Sequence, residues 1–297
     1  MKRIVVEKDL GQKETYAKWN GKFLDESAYH TVIKVTDEDM GVMKPILSLD
    51  GSDVPLAYVI TNAFPQQSKI RDILTTIEDT STMRANCSGP IDKEEMLAKG
   101  LVEGEDYKLR TPNSYHTRTK SGGWGMIAYS NEIHSVMIGH KRGRFTGGID
   151  VSGWCKDNKE KWESLQEITE HNETAFAKAN NDIYRSQKSF AENNIRPEHR
   201  IGEGIFTTLS ANRYSAYSGD TDAGMTSMCV FREGDYDGAY LCFPRYGIAI
   251  DAPDNSVVIA DSQEVHGVTP ISGKGQRFSV VAYCDRRLAT VGVYGKQ

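Results

Sequence analysis

Residues 234–283, which read GDYDGAYLCFPRYGIAIDAPDNSVVIADSQEVHGVTPISGKGQRFSVVAY, decide the predicted fold. Short runs rich in β-branched and aromatic residues alternate there with turns made of Gly, Asp, Asn and Pro. Two similar runs, within residues 204–217 and 224–231, precede them. Closely spaced runs of this kind predict the antiparallel strands of a sandwich or barrel. A mixed α/β sheet is the alternative, but no helical pattern separates the runs.

The chain upstream of residue 200 is more varied. Strand-like runs occur in the first 60 residues, and apolar residues at positions 70, 73, 74 and 77 predict a helix after Pro65. The polar stretch 158–194 predicts one long helix or a helix pair that ends before Pro197. We therefore expect one α+β domain over residues 1–297. Residues 1–199 would form an N-terminal elaboration with helical support, and residues 200–290 the β core.

The composition is that of an ordinary soluble globular protein, with 38% hydrophobic and 26% charged residues. No apolar run approaches membrane-spanning length, and the first residues lack the apolar core of a secretory signal. The five cysteines are odd in number and include no CxxC pair, which favours reduced thiols over a disulfide framework. We therefore expect an intracellular protein, cytoplasmic or nuclear, without a membrane partner.

One segment departs from the net charge of −5. Between Tyr107 and Gly148 the sequence has seven Lys or Arg residues against one acid, Glu132. Aromatic residues and glycines are interleaved with these cations. Aromatic rings that stack on bases, placed beside cations that neutralise phosphates, are typical of a nucleic-acid surface. A solvated loop face is the alternative, and the pattern does not separate the two.

Polar residues with ligand chemistry are spaced along the β region. Asp220 and Asp222 lie two residues apart, and His266 follows about forty residues later. Two carboxylates and an imidazole are suitable ligands for a divalent first-row metal. Arg277 and Ser279 also lie two residues apart, so on a strand both side chains point to the same face. An inward arginine beside a hydroxyl would hold a carboxylate. Taken singly, each residue also fits a turn, a hydrogen-bonded histidine or a structural ion pair.

Taken together, residues 212–283 resemble the catalytic core of the Fe(II)/2-oxoglutarate dioxygenases. They look most like the branch that contains the TET and J-binding-protein hydroxylases of thymine and 5-methylcytosine. The resemblance implies a double-stranded β-helix, or jelly roll, that uses Fe(II), 2-oxoglutarate and O₂. It also implies site roles: Asp222 and His266 as metal ligands, Arg277 for the distal carboxylate of 2-oxoglutarate with Ser279 assisting, and Asn212 in the same cofactor site.

One position departs from the family pattern. The family motif is His-x-Asp, whereas this chain has Asp220 at the first position. The metal triad would then be Asp220, Asp222 and His266. A second carboxylate should weaken discrimination for Fe(II) against Mn(II) or Mg(II). A genuine variant triad, an impaired site and an introduced substitution all remain open.

The resemblance implies hydroxylation of the 5-methyl group of a pyrimidine, in DNA or in a free nucleotide. A base in a duplex must be extruded before its methyl group can react. Two alternatives remain: an oxygenase acting on a small molecule or a protein side chain, and a metal-impaired relative that binds nucleic acid. The residues expected to contact the substrate are Asn113, Trp124, Asn131, Arg142, Arg144 and Tyr217.

Overall fold

The structure is a computed structural model of the 297-residue chain. It describes residues 4–19, 24–36, 46–48, 55–76, 88–90, 97–98, 100, 116–118, 123–128, 149–151, 155, 158–211, 222–286 and 288–289. Helices accompany antiparallel and mixed sheets, so the predicted α+β class is confirmed.

The helices are α1 (Gln12–Trp19), α2 (Gln67–Thr76), α3 (Lys159–Ala179) and α4 (Asn181–Asn194). The strands are β1 (Ile4–Val6), β2 (Thr31–Lys34), β3 (Ile46–Ser48), β4 (Pro55–Ile60), β5 (Ser88–Pro90), β6 (His116–Arg118), β7 (Gly123–Ala128), β8 (Ile149–Val151), β9 (Thr208–Ala211), β10 (Thr226–Gly238), β11 (Leu241–Phe243), β12 (Ile248–Asp251), β13 (Ser256–Ala260), β14 (Gly267–Val268) and β15 (Ile271–Tyr283).

Two sheets carry the core. The large sheet has the order β1-β3-β4-β13-β10-β15-β9-β7-β8, and the small sheet has the order β14-β11-β12-β2. After β10 the chain enters the small sheet for β11 and β12, and it returns to the large sheet for β13. It then crosses again for β14 before β15. Repeated crossing between two largely antiparallel sheets is the connectivity of a jelly roll.

The pleat of the long β10–β15 pair separates two cores. Val230 lies opposite Ser279, and Met228 lies opposite Val281, in an antiparallel register. Met228 and Val230 belong to the core between the two sheets, whereas Cys229 belongs to the core beneath the helices. Successive residues of a strand point to opposite faces, so Arg277, Ser279 and Val281 face the space between the sheets.

The helices cover the outer face of the large sheet. Leu165, Ile168 and Phe176 of α3 are fully buried there with Phe231 and Val257 of the sheet. The sequence predicts one long helix or a helix pair before Pro197, and the structure has the pair. It breaks at Asn180, whose backbone N–H still bonds Phe176 while its side-chain oxygen caps α4 by accepting from the Ile183 N–H.

The N-terminal segment does more than pack outside the β core. Its strand β4 pairs with β13 in the large sheet, and β2 pairs in parallel with β12 in the small sheet. The basic stretch also contributes, since β7 pairs with β9. Among the described residues, no helix combines the length and apolar character needed to cross a membrane.

Candidate active site

Arg277 lies in the interior of the jelly roll. Its side chain belongs to the inward set of β15, and the residue is only 2% exposed. Ser279, two positions on and 4% exposed, faces the same space. The predicted shared inward face of these two residues is therefore confirmed. A guanidinium in such a place is costly unless an anion meets it.

The described residues provide no carboxylate for Arg277. Its Nη2 lies 2.9 Å from the sulfur of Met228, a weak acceptor, and its Nη1 is buried with no hydrogen-bond partner. Burial lowers the pKa of Arg277 to about 10, so the group still carries its charge at neutral pH. Arg232, directly opposite in the register, bonds the carboxylate of Asp251 at 2.5 Å. Of these two facing arginines, Arg232 thus has a carboxylate partner, whereas Arg277 has none among the described residues.

A second buried donor lies beside Arg277. The Tyr236 hydroxyl is buried and has no hydrogen-bond partner among the described residues, and the side chain interacts electrostatically with both Arg277 and Arg232. Burial raises the pKa of Tyr236, so the phenol keeps its proton. The ring lies under the Arg232 guanidinium, 4.4 Å from the ring centroid. Arg277 and Tyr236 are therefore two interacting buried donors whose N–H and O–H groups have no acceptor among the residues that the structure describes.

Asp222 lies at the start of the turn that leads into β10. The turn after β13 holds it from the other side, because Ser262 Oγ donates to its carboxylate at 3.4 Å and the Gln263 side chain donates to its backbone carbonyl at 3.2 Å. His266 ends that same turn and interacts electrostatically with Asp261. The 261–266 turn thus connects the two candidate metal ligands.

The orientation of His266 is fixed by a backbone contact. Its Nδ1 lies 2.8 Å from the carbonyl oxygen of Glu264, and a carbonyl only accepts, so Nδ1 carries the proton. In the neutral ring Nε2 is then the nitrogen with the lone pair, which is the usual arrangement for a metal-binding histidine. The ring is tilted against Phe243, with 6.2 Å between centroids.

The donor set fits a divalent metal in its chemistry. A carboxylate at Asp222 and a neutral imidazole at His266 are both suitable for Fe(II), Mn(II) or Zn(II). Within the described ranges, no group of three His, Cys, Asp or Glu side chains is arranged to hold an ion. The third candidate ligand, Asp220, lies outside them.

Most of the expected substrate and cofactor contacts also lie outside the described residues: Asn113, Asn131, Arg142, Arg144, Asn212 and Tyr217. Trp124 is described only in its backbone, which pairs with Leu209. Sequence reasoning missed two residues of the interior, Met228 and Tyr236. The register of β10 against β15 would have revealed them, but the sequence does not show which residues lie opposite each other.

No protein-family model and no curated protein matches the chain. Among solved structures it is similar to NgTET1 in complex with 5mC DNA, at 11% identity and a TM-score of 0.49, over 94% of this chain and 89% of that one. It is also similar to JOX2 in complex with 2OG, Fe and JA, at 12% identity and a TM-score of 0.42, over 93% and 83%. A third likeness is to a C-terminally truncated Neurospora crassa protein in apo form, at 16% identity and a TM-score of 0.33, over 78% and 83%. At these values the likenesses identify neither a family nor an activity.

Proposed function

We propose that this chain is an Fe(II)/2-oxoglutarate-dependent oxygenase that hydroxylates the 5-methyl group of thymine or 5-methylcytosine in DNA. The observation that carries the proposal is the buried Arg277, which faces the jelly-roll interior. Neither its Nη1 nor the hydroxyl of Tyr236, with which it interacts electrostatically, has a hydrogen-bond partner among the described residues. Two buried donors that have no acceptor within the described part of the chain favour a bound anion. A carboxylate would satisfy both at once.

The chemistry of the residues present favours one kind of anion. Arg277 would bind one carboxylate deep between the sheets, with the Ser279 and Tyr236 hydroxyls beside it. Asp222 and His266 would hold the metal to which the other end of the molecule chelates. A dicarboxylic acid with a 2-oxo group meets both requirements, because its distal carboxylate reaches the arginine and its oxo acid end supplies two oxygen ligands.

The remaining groups control protons and water. With Nδ1 held by the Glu264 carbonyl, His266 would offer Nε2 as its ligand atom. The apolar residues on the same inner face, including Met228, Val230 and Val281, would exclude water from the carboxylate. When bound, Fe(II), 2-oxoglutarate and O₂ supply the oxidation: one oxygen atom enters the methyl C–H bond and the other enters succinate as CO₂ leaves.

The choice of DNA rests on the sequence. The resemblance of residues 212–283 and the basic, aromatic stretch from Tyr107 to Gly148 both favour a polyanionic substrate that presents a base. Asp220 in place of histidine keeps open a metal-impaired relative that only binds DNA. The strands β6 and β7, which belong to the basic stretch, are described in their backbone only.

The proposal is tested by substrate-dependent turnover. The purified chain is given Fe(II), 2-oxoglutarate and O₂ with one of four substrates. Two are duplexes that contain 5-methylcytosine or thymine, the third is free thymidine, and the fourth is a control duplex in which cytosine is unmethylated and uracil replaces thymine. We expect succinate and a hydroxymethyl base, by mass spectrometry, only with a methylated pyrimidine. Turnover with none of these would contradict the assigned substrate. A mobility shift that weakens steeply with salt would show phosphate contacts in DNA binding.

A further inference from the structure

An ion pair that no part of the proposed reaction uses lies next to His266, on the side of its Nδ1. The guanidinium Nη1 of Arg245 and the carboxylate Oε1 of Glu264 are 2.6 Å apart. The two side chains are only 15% and 14% exposed, which sets this pair apart from the surface pair Lys69–Glu167, at 53% and 33%. Tyr246 adds a weak contact, since its hydroxyl lies 3.5 Å from the same Glu264 oxygen.

Arg245 is itself held by the N-terminal segment. It lies in the 3-10 turn Pro244–Tyr246, and its backbone carbonyl accepts the N–H groups of Asp9 at 2.8 Å and Leu10 at 3.3 Å. The turn ends at Gly247, whose φ of +59° suits glycine. A Cβ at Gly247 would collide with the side chains of Asp9 and His30. The backbone that carries the Arg245 side chain is therefore held in place by these contacts.

Glu264 connects Arg245 to His266. Its backbone carbonyl is the acceptor for His266 Nδ1, at 2.8 Å, while its side chain is held by Arg245. The intervening residue, Val265, is buried in a cluster with Trp19 and Leu24 of the N-terminal segment. Two contacts therefore hold the carbonyl that orients the imidazole: the ion pair of the Glu264 side chain with Arg245, and the burial of the next residue, Val265.

We infer, resting on the proposed function, that the Arg245–Glu264 ion pair positions His266 for metal binding. Neither residue touches the metal; both act through the Glu264 carbonyl. The pair holds the Glu264 carbonyl against Nδ1, and this contact sets the plane of the imidazole. Partners behind a metal-binding histidine typically change metal affinity by about 10–100-fold when they are removed.

The test uses the full chain and four variants. Glu264→Gln removes the charge at nearly constant shape, and Arg245→Met removes the cation. Arg245→Lys keeps the charge without the planar fork. Glu167→Gln is the matched control, because it removes a carboxylate from a pair of nearly equal length, 2.7 Å, on the α2–α3 surface. Thermal unfolding identifies which variants are folded.

Two readouts are taken, and only one depends on metal. Anaerobic titration with Fe(II) in the presence of 2-oxoglutarate gives the metal affinity, which we expect to fall by about tenfold or more in Glu264→Gln and Arg245→Met and less in Arg245→Lys. Imidazole ¹⁵N NMR of the metal-free protein, at a pH where the ring is neutral, gives the tautomer of His266. We expect a single Nδ1–H form in the wild type and in Glu167→Gln, and a mixture in the pair variants.

The outcomes separate the two claims. A wild-type chain that binds no Fe(II) contradicts the proposed function, and the NMR readout then decides the positioning role alone. A wild-type tautomer and wild-type affinity in Arg245→Lys and in every other folded pair variant would overturn the inference. A loss of affinity equal to that in Glu167→Gln would also overturn it, because the effect would not be specific to this pair.

Discussion

Replacing Arg277 with methionine removes a buried charge for which the described residues offer no counter-charge. The side chain is 2% exposed, with Nη1 unbonded and Nη2 against the sulfur of Met228. Replacing even a buried ion pair by apolar residues of similar volume is often neutral or stabilising by about 1–4 kcal/mol, and Arg277 lacks the attraction that such a pair provides. We therefore expect ligand-free Arg277→Met to unfold at the same temperature as the wild type or higher.

The same substitution should abolish stabilisation by 2-oxoglutarate. A ligand that binds only the folded state at 100 times its Kd adds about 2.7 kcal/mol, which is about 5 °C in Tm for a chain of this size. The wild type should show this shift with Mn(II) and 2-oxoglutarate, whereas Arg277→Met should show none. Opposite signs for ligand-free and ligand-bound stability are the signature of an arginine kept for a ligand.

Arg232→Met is the matched control, because Arg232 lies opposite Arg277 but bonds Asp251 at 2.5 Å. Its loss leaves a carboxylate unpaired and should cost about 1–3 kcal/mol without ligand. Differential scanning fluorimetry, with and without ligand, measures all three proteins. The reasoning is refuted if ligand-free Arg277→Met is destabilised by more than ~3 kcal/mol, the cost of breaking a buried pair, while the 2-oxoglutarate shift persists.

Three further expectations concern the core and the ligands. Gly275→Ala should cost about 1–3 kcal/mol in urea unfolding, since its Cβ would lie 2.7 Å from the Glu233 carbonyl oxygen; an unchanged midpoint contradicts this. Burial raises the pKa of the Cys229 thiol to about 12. Because the native thiol holds its proton more tightly than the unfolded one, it should lower stability above pH 9 by up to about 1.4 kcal/mol per pH unit. Cys229→Ala should reduce the slope by that amount without removing it, because burial also raises the pKa values of the Cys242 and Cys284 thiols. His266→Ala should abolish metal-induced stabilisation while the protein remains folded.

Much of the core followed from pattern. Alternation in β15 put Arg277 and Ser279 on one face, and the structure places both between the sheets. Short strands separated by turns predicted the antiparallel core, and Pro197 marked the end of the helix pair. These features depend on local periodicity, which a single sequence carries.

Features that depend on strand register or on long-range packing could not be predicted from the sequence. Tyr236 lies opposite Gly273 and interacts electrostatically with Arg277, four positions further along β15. The Arg245–Glu264 pair joins residues 19 positions apart through two turns. The parallel pairing of β2 with β12 joins residues more than 200 positions apart. Such contacts arise from tertiary packing and leave no periodic trace in the sequence.

The most direct measurement is an anaerobic titration of the purified chain with Fe(II) and 2-oxoglutarate, followed by the visible metal-to-ligand charge-transfer band. The account predicts a saturable band in the wild type that is absent from Arg277→Met and from His266→Ala. No band in the wild type at saturating ligand would contradict it. A band that forms only after Asp220→His would identify this chain as an oxygenase fold that has lost its metal.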